Sequence, residues 1–272
     1  SYIDQVGSKV ENRINLKLLS VKSENRPALV PYLTVGYPTI KLSDEIALKA
    51  LRSGADMLEL GIPFSDPIAD GPTIQKTGFK ALENGVSLSV CMDVLTNIRK
   101  ENDAAPIIFM GYFNPFLQYG LERFMEEASD RGLDGLIIPD LPIEESVVIS
   151  EQCRKNGIHL IPLLAPTSTE ERIKSSCEHA GGFIYCVSLT GVTGAREGLS
   201  AGVEELVEKI RIHTDLPVLV GFGVSQKKDV EMISKFAEGA VVGSAFLDHI
   251  ASSKDGNEIS AAGEFIDSIL VK

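Results

Sequence analysis

A glutamate stands inside an apolar run, Met57-Leu58-Glu59-Leu60, and such a placement has few physical explanations. In an extended chain successive side chains alternate between faces, so Glu59 shares a face with Met57 while Leu58 and Leu60 share the other. The carboxylate must either pair with a cation or face a cavity where its proton affinity is raised. None of the strand-like runs of this chain contains Lys or Arg, so acid–base work is the stronger interpretation. Downstream, Ser65-Asp66-Pro67-Ile68-Ala69-Asp70-Gly71-Pro72 adds two carboxylates. Pro63, Pro67 and Pro72 stiffen this connection, while Gly61 and Gly71 permit tight turns. A loop Asp is ordinarily a turn former or a helix cap. Following a strand-end Glu, it can instead share a pocket, where two carboxyls take separate roles.

Glycines mark a second constellation. Gly191-Val192-Thr193-Gly194, Gly221-Phe222-Gly223 and Gly243-Ser244 each follow an apolar run. Glycine lets backbone N–H groups close on an anion, and three such turns at neighbouring strand ends point to a bound phosphate. Other chemistries lack their residues. No strand-like run offers a Schiff-base lysine. His159, His179, His213 and His249 are scattered rather than clustered with carboxylates for a metal. No G-x-G-x-x-G follows the first run, so no dinucleotide is indicated. Metal-free catalysis by carboxylates remains, aided by a tyrosine.

The elements that must carry these residues repeat in one order. Apolar runs span Ala28–Gly36, Asp56–Pro63, Pro106–Gly111, Gly135–Pro139, His159–Ala165, Gly182–Ser188, Pro217–Gly221 and Gly239–Gly243. Helical patterns lie between them at Ser43–Ser53, Val90–Arg99, Leu121–Arg131, Glu144–Asn156, Glu170–Cys177, Val203–Ile212 and Lys228–Phe236, with a last one at Glu258–Leu270. The runs are almost continuously apolar, as parallel strands buried on both faces require. Eight such units in 272 residues fit a closed (β/α)8 TIM barrel, typically of about 250 residues, better than an open sheet. No linker divides the chain, so residues 1–272 are expected to form a single α/β domain. An extra N-terminal helix near Val10–Ser23 is expected to cover the barrel floor. Barrel sites lie at the C-terminal strand ends, which gathers Glu59, Asp140, Tyr185 and the glycine turns at one mouth.

A formal charge of −12 and a pI near 4.9 argue against a nucleic-acid partner, which needs clustered Lys and Arg. Backbone N–H groups can still bind a phosphate locally. Cys91, Cys153, Cys177 and Cys186 are far apart without a C-x-x-C pair, so free thiols in a reducing compartment are expected. There is no apolar run of about 18 residues, and Ser1-Tyr2-Ile3-Asp4-Gln5 lacks the pattern of a signal peptide. A soluble, cytoplasmic protein is expected.

Leu58 through Gly71 resembles the signature of the tryptophan synthase α subunit family. The likeness runs from Val30-Pro31-Tyr32-Leu33-Thr34 to Val242-Gly243-Ser244-Ala245, through Gly191-Val192-Thr193-Gly194-Ala195 and Val220-Gly221-Phe222-Gly223-Val224-Ser225. The resemblance implies a lyase that cleaves indole-3-glycerol phosphate to indole and glyceraldehyde 3-phosphate without a cofactor or metal, the protonated indole ring serving as electron sink. It also implies a β-subunit partner in an αββα heterotetramer, with no membrane contact. By position, Glu59 is then the acid–base residue, Asp70 bonds the indole N–H, and Tyr185 stands beside the reacting centre. Tyr32, Met110, Tyr112, Ile137 and Asp140 match positions lining or supporting the indole pocket, and Thr193 matches the loop residue that secures the closed site. Gly194, Phe222, Gly223, Gly243 and Ser244 match the phosphate turns, and Asp66 and Pro67 face the partner. Tyr37 stands where Asp is common, Leu189 replaces a usually polar or basic residue, and Phe236-Ala237-Glu238-Gly239 is one residue short. Two other classes compete: a barrel that mainly binds and activates a β partner, and a sugar-phosphate isomerase or epimerase. Both carboxylates and all three glycine turns are present, and that favours the lyase.

Overall fold

Short apolar segments alternate with amphipathic ones along the chain, and each kind forms the element that its periodicity dictates. The computed structural model describes residues 11–187, 196–221 and 223–272. The first half runs α1 (Arg13–Ser23), β1 (Ala28–Thr34), α2 (Ile40–Arg52), β2 (Leu58–Gly61), α3 (Pro72–Glu83), α4 (Leu88–Glu101), β3 (Ile107–Met110), α5 (Phe113–Tyr119), α6 (Leu121–Asp130) and β4 (Gly135–Ile137). There follow α7 (Ile143–Lys155), β5 (His159–Leu160), β6 (Leu163–Leu164), α8 (Glu170–His179), β7 (Ile184–Val187), α9 (Arg196–His213), β8 (Val218–Gly221), α10 (Lys227–Ile233), β9 (Gly239–Val242), α11 (Ser244–Ala251) and α12 (Glu258–Ile269).

The strands form one sheet in the order β5-β4-β3-β2-β1-β9-β8-β7-β6, and each pairing in it is parallel. Its two ends, β5 and β6, are pieces of a single extended run. Pro162 has no N–H to give to a ladder, so it parts them. The carbonyl of Pro162 still accepts from Tyr185 N at 3.0 Å, and Ile161 N donates to the Leu136 carbonyl at 2.9 Å. The barrel therefore closes through the chain itself, and the single strand expected over His159–Ala165 is corrected to two short ones. Three helices that the sequence pattern did not mark, α3, α5 and α11, cap the connections after β2, β3 and β9.

Alternation along the strands sorts the core. Val30, Met57, Ile108, Ile137, Phe183, Leu219 and Val241 fill the barrel interior, while Leu29, Leu58, Phe109, Leu136 and Val220 pack outward beneath the helices. Ile14 of α1 is completely buried and joins the interior cluster; burial of such a side chain contributes about 1.5–3 kcal/mol. The helix expected from Val10 starts at Arg13, with the Asn12 carboxamide accepting from Ile14 N at 2.9 Å as its cap. Asn12 Nδ2 also donates to the Asp134 and Gly157 carbonyls, at 3.0 and 2.9 Å. These carbonyls precede β4 and β5, so α1 lies against the N-terminal ends of the strands. All four cysteines are buried and free. No described helix is long and apolar enough to cross a membrane.

Candidate active site

Glu59 lies midway along β2, paired in register with Tyr32 of β1 and Ile108 of β3. It faces the barrel interior and is only 1% exposed. Burial, followed by the nearby negative charge of Asp70, pushes its pKa up from 4.5 to about 8. Among the described residues no cation offsets this, as the absence of Lys and Arg from the strands anticipates. Two buried tyrosines flank it. The Tyr32 ring crosses Gly61, where a Cβ would collide with its hydroxyl. From the opposite wall the Tyr185 ring crosses Gly221 in the same way, and burial first, then proximity to the Glu59 carboxyl, holds its hydroxyl well above the ordinary tyrosine pKa. Both glycines are thus required by close approach rather than by a turn.

The connection after β2 brings Asp70 back over this site. Burial raises its pKa from 3.8 to about 6, partly opposed by a hydrogen bond from the Tyr112 hydroxyl. The same hydroxyl accepts from Ala69 N at 2.9 Å, and the Tyr112 ring packs on Phe64 with centroids 5.2 Å apart. Asp140, exposed on the turn after β4, accepts from Phe113 N at 2.8 Å. It therefore anchors the segment carrying Tyr112 and supports the pocket rather than lining it. Met110 is half-buried at the end of β3 and Ile137 fully buried at the end of β4. Two carboxyls with pKa values pushed apart, one neutral and one ionised near pH 7, can divide acid and base duties.

Asp66 and Ile68 project outward on the same connection, Ile68 with 86% of its surface exposed, and Pro67 is half-buried between them. Across the mouth, Gly243 is the N-cap of α11 and Ser244 its first residue. The first-turn N–H groups of such a helix lack helical acceptors and suit an anion. Gly223 is exposed with φ +51°, a conformation in which glycine is unstrained. Leu189, Thr193, Gly194 and Phe222 lie outside the described residues.

With Pro38, Pro72, Lys76 and Phe79, Tyr37 lines an open groove of about 670 Å³ whose lining includes neither Glu59 nor Asp70. Gln75, which also lines that groove, is the residue that sequence reasoning missed. Its amide donates to the carbonyls of Pro67 and Asp70. Pro72 at the first turn of a helix was the available signal.

Known proteins resemble this chain in sequence and in fold. The family model described as tryptophan synthase alpha chain matches residues 18–267. A tryptophan synthase alpha chain of Roseiflexus sp. is 45% identical over 258 residues, covering 95% of this chain and 99% of its own. The crystal structure of tryptophan synthase subunit alpha from Legionella pneumophila superposes with a TM-score of 0.88 at 34% identity, covering 96% of this chain and 97% of that one. A chain in the structure of tryptophan synthase from M. tuberculosis, in an aminoacrylate-bound form, gives a TM-score of 0.85 at 30% identity over 95% of this chain and 98% of that one. By sequence and by fold, this chain belongs to the tryptophan synthase alpha chain family.

Proposed function

We propose that the chain cleaves indole-3-glycerol phosphate to indole and glyceraldehyde 3-phosphate, as the α subunit of a tryptophan synthase. The observation that carries this reading is the pair of carboxyls at the mouth, Glu59 buried and Asp70 half-buried, where burial raises the pKa of Glu59 to about 8 and that of Asp70 to about 6. Protonated Glu59 gives its proton to C3 of the indole ring, and the ionised Asp70 accepts from the ring N–H and stabilises the resulting indolenine cation. Glu59, now a carboxylate, removes the proton of the glycerol hydroxyl next to the scissile bond. The electron pair of the bond between ring C3 and the carbinol carbon returns to the ring as indole leaves, and the carbinol becomes the aldehyde. Glu59 ends protonated, so the cycle closes with no other proton donor, and the ring itself is the electron sink.

In this reading Tyr185 and Tyr32 flank the reacting carbon, Met110, Tyr112 and Ile137 surround the ring, and Thr193 closes over Asp70. The phosphate occupies the N-terminus of α11 at Gly243 and Ser244, together with Gly194, Phe222 and Gly223. Asp66 and Pro67 face a β subunit in an αββα assembly, and the barrel functions as one domain with α1 beneath it. Indole release from indole-3-glycerol phosphate, by the chain alone and with a β subunit, tests the proposal. Turnover in either sample is the expected result. Its absence from both would leave the chain as a non-catalytic partner.

A further inference from the structure

Asp70 sits on a loop that burial does not hold. Ile68 is 86% exposed, and Ser65, Asp66, Ala69 and Gly71 are exposed as well, so packing contributes little to the loop's position. Polar tethers set it instead. On one side Ala69 N donates to the Tyr112 hydroxyl at 2.9 Å. On the other, Gln75 Nε2 donates to the Asp70 carbonyl at 2.9 Å and to the Pro67 carbonyl at 3.4 Å. Those carbonyls bracket a turn in which Asp70 N donates back to the Pro67 carbonyl at 3.1 Å. The helix supplying Gln75 is itself pinned at both sides. Thr77 of α3 shares a buried hydrogen bond with Thr34 of β1 at 2.7 Å, and the Thr73 hydroxyl donates to Asp248 of α11 at 3.0 Å.

We propose that Gln75 is a positioning residue for Asp70, tying its backbone to α3 so that its carboxylate stays against the Tyr112 hydroxyl and over Glu59. Both of the bonds from Gln75 go to loop carbonyls, so its influence on the chemistry passes through Asp70. An amide is needed because one nitrogen supplies two N–H donors to two carbonyls, whereas a glutamate would oppose them with lone pairs. Misplacement of a catalytic group by about 1 Å costs on the order of 100-fold in rate, so loss of the tether falls on turnover rather than on substrate affinity.

The inference rests on the lyase reading, and the experiment separates the two. Q75A and Q75E are made in the full chain and assayed for indole release with a β subunit. Both are expected to lower kcat by about 10- to 100-fold with KM within about threefold of wild type. Q75E is expected to match Q75A despite its preserved shape. In a D70N background Q75A should cost no more than about a further threefold, because the two act as one unit. Independently of turnover, carbon-13 NMR of labelled aspartate follows the Asp70 carboxyl. In Q75A its pKa is expected to fall from about 6 toward the ordinary 3.8 as the carboxyl leaves its half-buried position against Tyr112. Wild-type kcat in Q75A, effects that multiply fully with D70N, or an unmoved Asp70 titration would each overturn the role of Gln75. A wild-type chain that releases no indole overturns the lyase reading instead, and the titration alone then decides on Gln75.

Discussion

Glu59 and Asp70 hold opposite protonation states over one window of pH. Glu59 is protonated below about 8 and Asp70 ionised above about 6, so kcat/KM for indole release is expected to rise through the lower value and fall through the upper one. A rate that keeps climbing past pH 8 would remove Glu59 as the proton donor. The same shift has a consequence for stability. Between 4.5 and about 8 the folded state binds the Glu59 proton and the unfolded state releases it, so stability from this group is full below 4.5 and lost as pH rises through 8. Glu59→Gln removes that dependence. The variant should lose most turnover, keep substrate binding, and above pH 8 resist urea better than wild type by on the order of a few kcal/mol. Equal urea midpoints at pH 8.5 would show that the buried carboxylate costs nothing. Glu59 was legible in the sequence because its apolar neighbours made it anomalous. Gln75 was not, because its partners become visible only once the loop has folded back onto α3.

Among the elements, the N-terminal ends of the strands share a device that the described residues of the mouth lack. Asp56, Asp134 and Glu238 each stand at the start of a strand and accept the N–H of a neighbouring strand, from Leu29 at 2.8 Å, Ile107 at 2.9 Å and Val218 at 2.7 Å. Each also pairs with arginine: Asp56 with Arg26 at 2.9 Å, Asp134 with Arg13 at 3.0 Å and Arg99 at 2.6 Å, Glu238 with Arg211 at 2.8 Å. The cations missing from the strands are thus gathered at the end opposite the chemistry, where barrel residues serve stability. Asp134→Ala would strand the nearly buried Arg99 and the Ile107 N–H. It is expected to cost about 3–5 kcal/mol in urea unfolding, with indole release per folded molecule unchanged. A comparable loss of specific activity would tie the floor to the mouth. The strand runs were readable because burial on both faces makes them continuously apolar, and the break at Pro162 follows from a missing N–H. The helix α3 escaped notice because Thr77 and Ala81 alone among its residues are buried, too few to print a helical period. In α5, Pro115 interrupts the pattern.

For the molecule as a whole, the alternation of apolar and amphipathic segments was enough to define the barrel, since eight parallel strands close only in a few ways. The surface that meets other proteins leaves no such period, and it has to be found from exposure. Ile68 stands 86% exposed on the loop that carries Asp70, beside Asp66 and Pro67 and next to the mouth from which indole would leave. An apolar side chain held in water so close to the site is suited to burial against a partner, where such anchors carry much of the binding energy. Ile68→Glu should therefore weaken association with a β subunit by about tenfold or more, equivalent to about 1.4 kcal/mol. The isolated barrel should keep its stability within about 0.5 kcal/mol, because the side chain buries almost nothing there. Sedimentation velocity across a titration of β subunit measures the first quantity and urea unfolding the second. Unchanged association would place the partner's footprint away from this loop. The geometry that brings Asp70 over Glu59 would then owe nothing to the partner and everything to Tyr112 and α3.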